Sequence, residues 1–123
     1  MLRRAPIGKL GYQTGLATTR PRNAKKGAAV PMTLWFAPIV PNPASSGALV
    51  RLGLPREGQV SLVLFDANGR RLRGLAGRAM PAGEHSLRWD GLDENGRRVA
   101  SGLYFMRLET TSGSRVQRFA VIR

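Results

Sequence analysis

The residues best placed to do chemistry in this chain lie within 89–105, WDGLDENGRRVASGLYF. Asp90, Asp93, Glu94 and Asn95 are its one cluster of hard oxygen donors, the ligand type that calcium takes. Set against an EF-hand loop with Asn95-Gly96 at the fifth and sixth positions, Asp93 falls correctly at the third. Gly91 then stands at the first position and Gly102 at the twelfth, where charge is required, so the match fails. A calcium loop of another kind on Asp90, Asp93 and Asn95 is the weaker alternative. The preferred reading has Asp90 and Asp93 capping turns through backbone N–H groups and pairing with Arg97 or Arg98.

Other chemistry is scarce. His85 is the single histidine and the chain has no Cys, so metal sites on several histidines, Cys–His pairs and disulfides are excluded. His85 alternates with Leu87 and Trp89 and reads as a structural residue of a strand. No G-x-S-x-G elbow, Walker loop or G-x-G-x-x-G is present. No catalytic residue and no cofactor is expected, and the chain reads as non-enzymatic.

Twenty Lys and Arg against seven Asp and Glu give a net charge of +13 in 123 residues. Residues 1–40 carry seven basic residues and no acid; residues 41–123 carry thirteen Arg against all seven acids. Such an excess attracts polyanions. Without an aromatic–basic array, only a weak and salt-sensitive contact is expected, carried mainly by the N-terminal part. The Met-Leu-Arg-Arg start is not followed by the apolar run of a signal peptide, and no stretch approaches the length of a membrane span.

The elements that position these residues are short strands. Residues 1–33 lack helical or strand periodicity and are expected to form a flexible basic segment ahead of one domain at 34–123. Leu34, Trp35, Phe36, Ile39 and Val40 form an apolar patch that Pro38 and Pro41-Asn42-Pro43 confine to an edge strand or a clip. Ala48 to Leu54 alternates, with Arg51 and Gly53 outward. Gln59 to Phe65 is apolar on both sides and suits a central strand.

Asp66-Ala67-Asn68-Gly69 signals a hairpin into the charged strand Arg70 to Leu75, expected near an edge. His85 to Trp89, Leu103 to Thr110 and Arg115 to Ile122 complete six or seven strands with turns every 8–12 residues. That spacing predicts an all-β sandwich. The expected core is Val50, Leu52, Leu54, Val60, Leu62, Leu64, Leu87, Trp89, Tyr104, Met106 and Leu108.

These pieces, in order, resemble a known family. Pro41-Asn42-Pro43, Leu64-Phe65-Asp66 with Gly69-Arg70, and Gly83-Glu84-His85 with Trp89-Asp90-Gly91 come first. Asp93, Gly96, Val99-Ala100-Ser101-Gly102, Tyr104-Phe105 and the basic Arg123 follow. Over residues 38–123 the set resembles the Ig-like modules of type IX secretion sorting domains and the related Ig-like domain of the flagellar hook-capping protein. Ala44 departs from the pattern, which commonly has Phe after the second proline.

The resemblance implies an Ig-like antiparallel β-sandwich of about seven strands, monomeric and at the surface of, or secreted from, a Gram-negative-type bacterium. Its implied role is a targeting or attachment module for a passenger protein, with outer-membrane secretion machinery as partner. The alternative it implies is a structural domain in an assembly of the hook-cap kind.

Overall fold

The computed structural model describes residues 30–123. The expected flexible segment at 1–33 therefore falls, for residues 1–29, outside the described residues. The described chain is all β. Its strands are β1 (Trp35–Phe36), β2 (Ala48–Leu54), β3 (Gly58–Asp66), β4 (Arg71–Met80), β5 (Gly83–Trp89), β6 (Gly102–Thr110) and β7 (Gly113–Val121).

They form two antiparallel sheets, β1-β2-β5 and β4-β3-β6-β7. The strand that is apolar on both sides, β3, lies between β4 and β6, and the charged β4 takes an edge. Period-two alternation turns one face of each sheet inward. Val50, Leu52 and Leu54 of β2 join Val60, Leu62 and Leu64 of β3 and Met106 and Leu108 of β6 in a single core. Trp89 is buried at the loop end of β5, with its indole edge-on to Phe119 at 5.7 Å and 77°. No helix of the described residues is long and apolar enough to cross a membrane.

The structure corrects several expectations. Leu87 is only half-buried against the core, on β5, an edge strand of the smaller sheet. Gly53 does not face solvent: the Trp35 indole lies on it, and a Cβ there would sit 2.2 Å from Trp35 Nε1. The short apolar patch thus becomes a two-residue edge strand whose Trp needs a glycine beneath it. Strand β4 runs on to Met80 rather than stopping at Leu75, pairing Gly58 through Phe65 across two register shifts. Ile39, Phe119 and Val121 belong to the core although the sequence reading omits them.

Candidate functional site

The antiparallel order brings the singled-out residues to one end of the sandwich. The β3–β4 turn, the β5–β6 loop, the lead into β2 and the exit of β7 all lie there. At the other end are only the short connections at 55–57, 81–82 and 111–112.

Two of these loops are built alike. Asp66 Oδ1 accepts the backbone N–H groups of Asn68 and Arg70, each at 2.9 Å. Asp93 Oδ1 accepts those of Asn95 at 2.8 Å and Arg97 at 3.0 Å. In each loop the aspartate N–H donates to the carbonyl of the arginine four residues on, and its carbonyl accepts from the glycine three residues on. Gly69 and Gly96 hold φ of 82° and 78°, a region that favours glycine. Arg70 also pairs with Asp66, Nε to Oδ2 at 3.2 Å. The Asp66 carboxyl is held below its usual range, first by the Arg70 N–H and then by that of Asn68 and the Arg70 charge, against some desolvation.

The acidic cluster is spent on scaffolding. Asp90 Oδ1 accepts the Leu92 N–H at 3.1 Å and the Arg73 guanidinium at 2.5 Å. Desolvation pushes Asp90 up, but these two donors outweigh it and leave the carboxyl lowered. Glu94 pairs with Arg71 at 2.5 Å, and that bond is the main cause of its lowered pKa.

Of the two aspartates expected to pair with Arg97 or Arg98, Asp90 pairs instead with Arg73 of β4, and Asp93 takes only the backbone N–H of Arg97; Arg71 pairs with Glu94. The loop folds back over the start of β4, which a strictly local reading cannot foresee, and Glu94 N–H donates to Leu72 C=O at 3.0 Å. No three His, Cys, Asp or Glu side chains among the described residues gather as metal ligands. Asp90 and Asp93 each turn a carboxylate oxygen to backbone N–H groups of their own loop.

Aromatic residues anchor the loop from beneath. Trp89 Nε1–H donates to Leu92 C=O at 2.9 Å, and Tyr104 O–H donates to Ala100 C=O at 2.6 Å. Burial and the nearby Asp66 charge push the Tyr104 phenol up, so it remains a donor at neutral pH. Gly91 takes φ of 84° at the loop's first turn. Gly102 opens β6 opposite Val121, and Phe105 is half-buried on the outer face, beside Phe65 and Val116.

The lead-in completes the site. Peptide bonds Val40-Pro41 and Asn42-Pro43 are cis. Asn42 Oδ1 accepts the Ala120 N–H at 2.9 Å, and Ala44, fully buried, exchanges backbone bonds of 2.8 Å with Ala120 and Ile122. Arg123 Nε–H donates to Val99 C=O at 2.5 Å, while its terminal nitrogens lie 3.5 Å from the carbonyls of Ser45 and Gly91. One side chain thus ties the lead-in, the β5–β6 loop and the end of β7 together. His85 stands apart at the opposite end, its Nε2 2.8 Å from Pro81 C=O.

Among the described residues, the acids of this end serve its own backbone and arginines and His85 lies remote, which leaves a shaped polar surface. Against known families the chain matches the FlgD Ig-like domain over residues 44–114, more than half of its length. The chain belongs to the FlgD Ig-like domain family. Pro41, Asn42, Pro43 and Arg123 lie outside the matched span.

Among solved structures, dimeric latent PorU from Porphyromonas gingivalis is similar at 18% identity and TM-score 0.59, over 72% of this chain and 9% of PorU. FlgD from P. aeruginosa is similar at 23% identity and TM-score 0.50, over 67% of this chain and 70% of that one. PorZ of P. gingivalis, an essential bacterial surface component of the type IX secretion system, is 26% identical with TM-score 0.49, over 69% of this chain and 11% of PorZ. PorU and the P. aeruginosa FlgD bear on the fold alone. The chain corresponds to about a tenth of PorZ and PorU. No curated protein matches it.

Proposed function

We propose that this FlgD-type Ig-like domain is a non-catalytic targeting and attachment module, recognised through its motif-bearing end by outer-membrane secretion machinery or by the passenger protein it serves. The observation that carries this reading is the gathering of Asn42, Asp66, Arg70, Trp89, Asp90, Asp93, Gly96, Tyr104 and Arg123 on one end of the sandwich. Buried aromatics hold that end from below and arginines surround it. Its polar groups are turned to backbone order rather than to chemistry. Such a surface suits recognition by shape and charge. The reading puts the module at the surface of, or secreted from, a Gram-negative-type bacterium.

A second reading is favoured by the family match itself: a structural domain that packs in an extracellular or hook-cap-like assembly. One experiment separates the two. A reporter with a signal peptide is fused upstream of residues 38–123 and expressed in a bacterium with a type IX system. The targeting reading expects the reporter at the cell surface or in the medium. Periplasmic retention, with the module shown folded by protease resistance, would leave the structural reading in its place.

A further inference from the structure

The motif-bearing end carries a repeat. The hexapeptide D-x-N-G-R-R occurs at 66–71 and again at 93–98. Both copies fold on the same set of aspartate–backbone bonds. The second copy rests on the strand that leaves the first, through Glu94 N–H to Leu72 C=O and the Arg71–Glu94 pair. Arg70, Arg97 and Arg98 are thereby brought around one cleft of about 220 Å³ with Leu72 and Tyr104 in its wall.

The same wall contains Asp66 and Asp93, whose carboxylates order their own loops. Asp66 Oδ1 takes two N–H groups and Oδ2 takes Arg70 Nε; Asp93 Oδ1 takes two N–H groups. Among the described residues, neither Arg97 nor Arg98 has a carboxylate within ion-pair distance. The wall therefore carries three guanidinium groups against two carboxylates, with Arg70 already paired to Asp66. Arg97 and Arg98 are exposed at its rim, where their guanidinium groups can turn toward an anion seated in the cleft. A planar guanidinium offers paired N–H donors that fit the oxygens of a phosphate group.

We propose that the cleft between the two loops is a binding site for a single phosphate-class oxyanion, held by Arg97 and Arg98 with Arg70 as a third donor. The repeated loop is the device that doubles the arginine supply at one point. This assignment does not depend on the targeting reading.

The test is a titration of the isotope-labelled full chain, followed by amide and arginine side-chain resonances. Inorganic phosphate and glycerol phosphate are the two probes, at an ionic strength held constant with sodium chloride. Saturable shifts are expected at Gly69, Gly96, Arg97, Arg98 and Val99. The R97Q/R98Q variant should weaken the midpoint about tenfold or more, as loss of charged hydrogen bonds requires. The R115Q/R118Q variant, changed on β7 away from the cleft, should keep it. Both arginines of the first variant are exposed, and its spectral dispersion checks that it still folds.

Equal midpoints for the two probes identify the bare phosphate group as the ligand; a tighter midpoint for glycerol phosphate identifies a carried one. Shifts no larger than sodium chloride alone produces overturn the proposal. An unchanged midpoint in R97Q/R98Q does the same.

Discussion

The two ends of this sandwich are held in different ways. At the plain end, turns close on bonds within a few residues: Thr110 Oγ1–H to Gly113 C=O, Ser112 N–H to Thr110 Oγ1, and His85 Nε2 with Pro81 C=O. At the motif-bearing end, bonds join segments far apart in the chain. Arg73 reaches Asp90, Ala120 reaches Asn42, and Arg123 reaches Val99. The difference teaches that the plain end closes through three short connections, while the motif-bearing end is also cross-linked between distant segments.

The strongest way to break the contrast is to remove what underlies the motif end. Trp89→Ala deletes a buried indole that packs on Phe119 and supports Leu92. A loss of about 3–5 kcal/mol is expected, enough to unfold a domain of this size, and chemical denaturation measures it. A variant that melts like the parent would show that the core does not turn on this residue. Next comes Gly53→Ala, where the new methyl displaces the Trp35 indole. The expected cost is about 1–3 kcal/mol, with Trp35 fluorescence moving toward that of an exposed indole. Unchanged fluorescence would mean that Trp35 does not seat on β2.

A smaller effect sharpens the comparison. Asp93→Ala removes the acceptor for two loop N–H groups and should cost about 1–2 kcal/mol, whereas Thr110→Ala at the plain end should cost about 0.5–1 kcal/mol. Equal losses in the two denaturation curves would erase the distinction.

The smallest effect is in pH. Asp66, Asp90 and Glu94 all have lowered pKa values in the folded protein, so the unfolded chain binds their protons first as pH falls. Their contribution is present above the ordinary carboxylate range, near pH 4, and is lost as pH drops through the lower folded values. With Asp90 and Glu94 exposed and Asp66 half-buried, solvent screens these pairs and their contribution is modest. Hydrogen exchange below that range should quicken at 66–73 and 90–98 before it does at 110–114. Simultaneous quickening at both ends would contradict the local assignment.

Much of this was legible from residue order. Alternation in 48–54 and 103–110, the two-sided apolar run at 59–65 and the Asn-Gly turn at 68–69 gave strands and the first hairpin, because those signals act over a few residues. Asp90 and Asp93 were legible as turn-capping residues for the same reason. The arginine partner of Asp90 was not, since pairing it with Arg73 depends on how two sheets stack. Trp35 over Gly53 and Arg123 across Val99 are likewise products of topology. The repeated D-x-N-G-R-R was the one sequence signal able to link the two loops, and it becomes informative only when both copies stand on one end.

On the proposed function, a partner reads the motif-bearing end rather than the sandwich as such. The most direct measurement compares two triple variants of the reporter fusion in a bacterium with a type IX system. One carries Asn95→Ala, Arg97→Ala and Arg98→Ala at the motif end; the other carries Arg56→Ala, Glu57→Ala and Ser112→Ala at the plain end. Protease resistance confirms that each module folds, and the surface-to-periplasm ratio of the reporter is then read. The account predicts that the motif-end variant stays periplasmic while the plain-end variant is delivered like the parent. Delivery of the motif-end variant with retention of the plain-end one would contradict it.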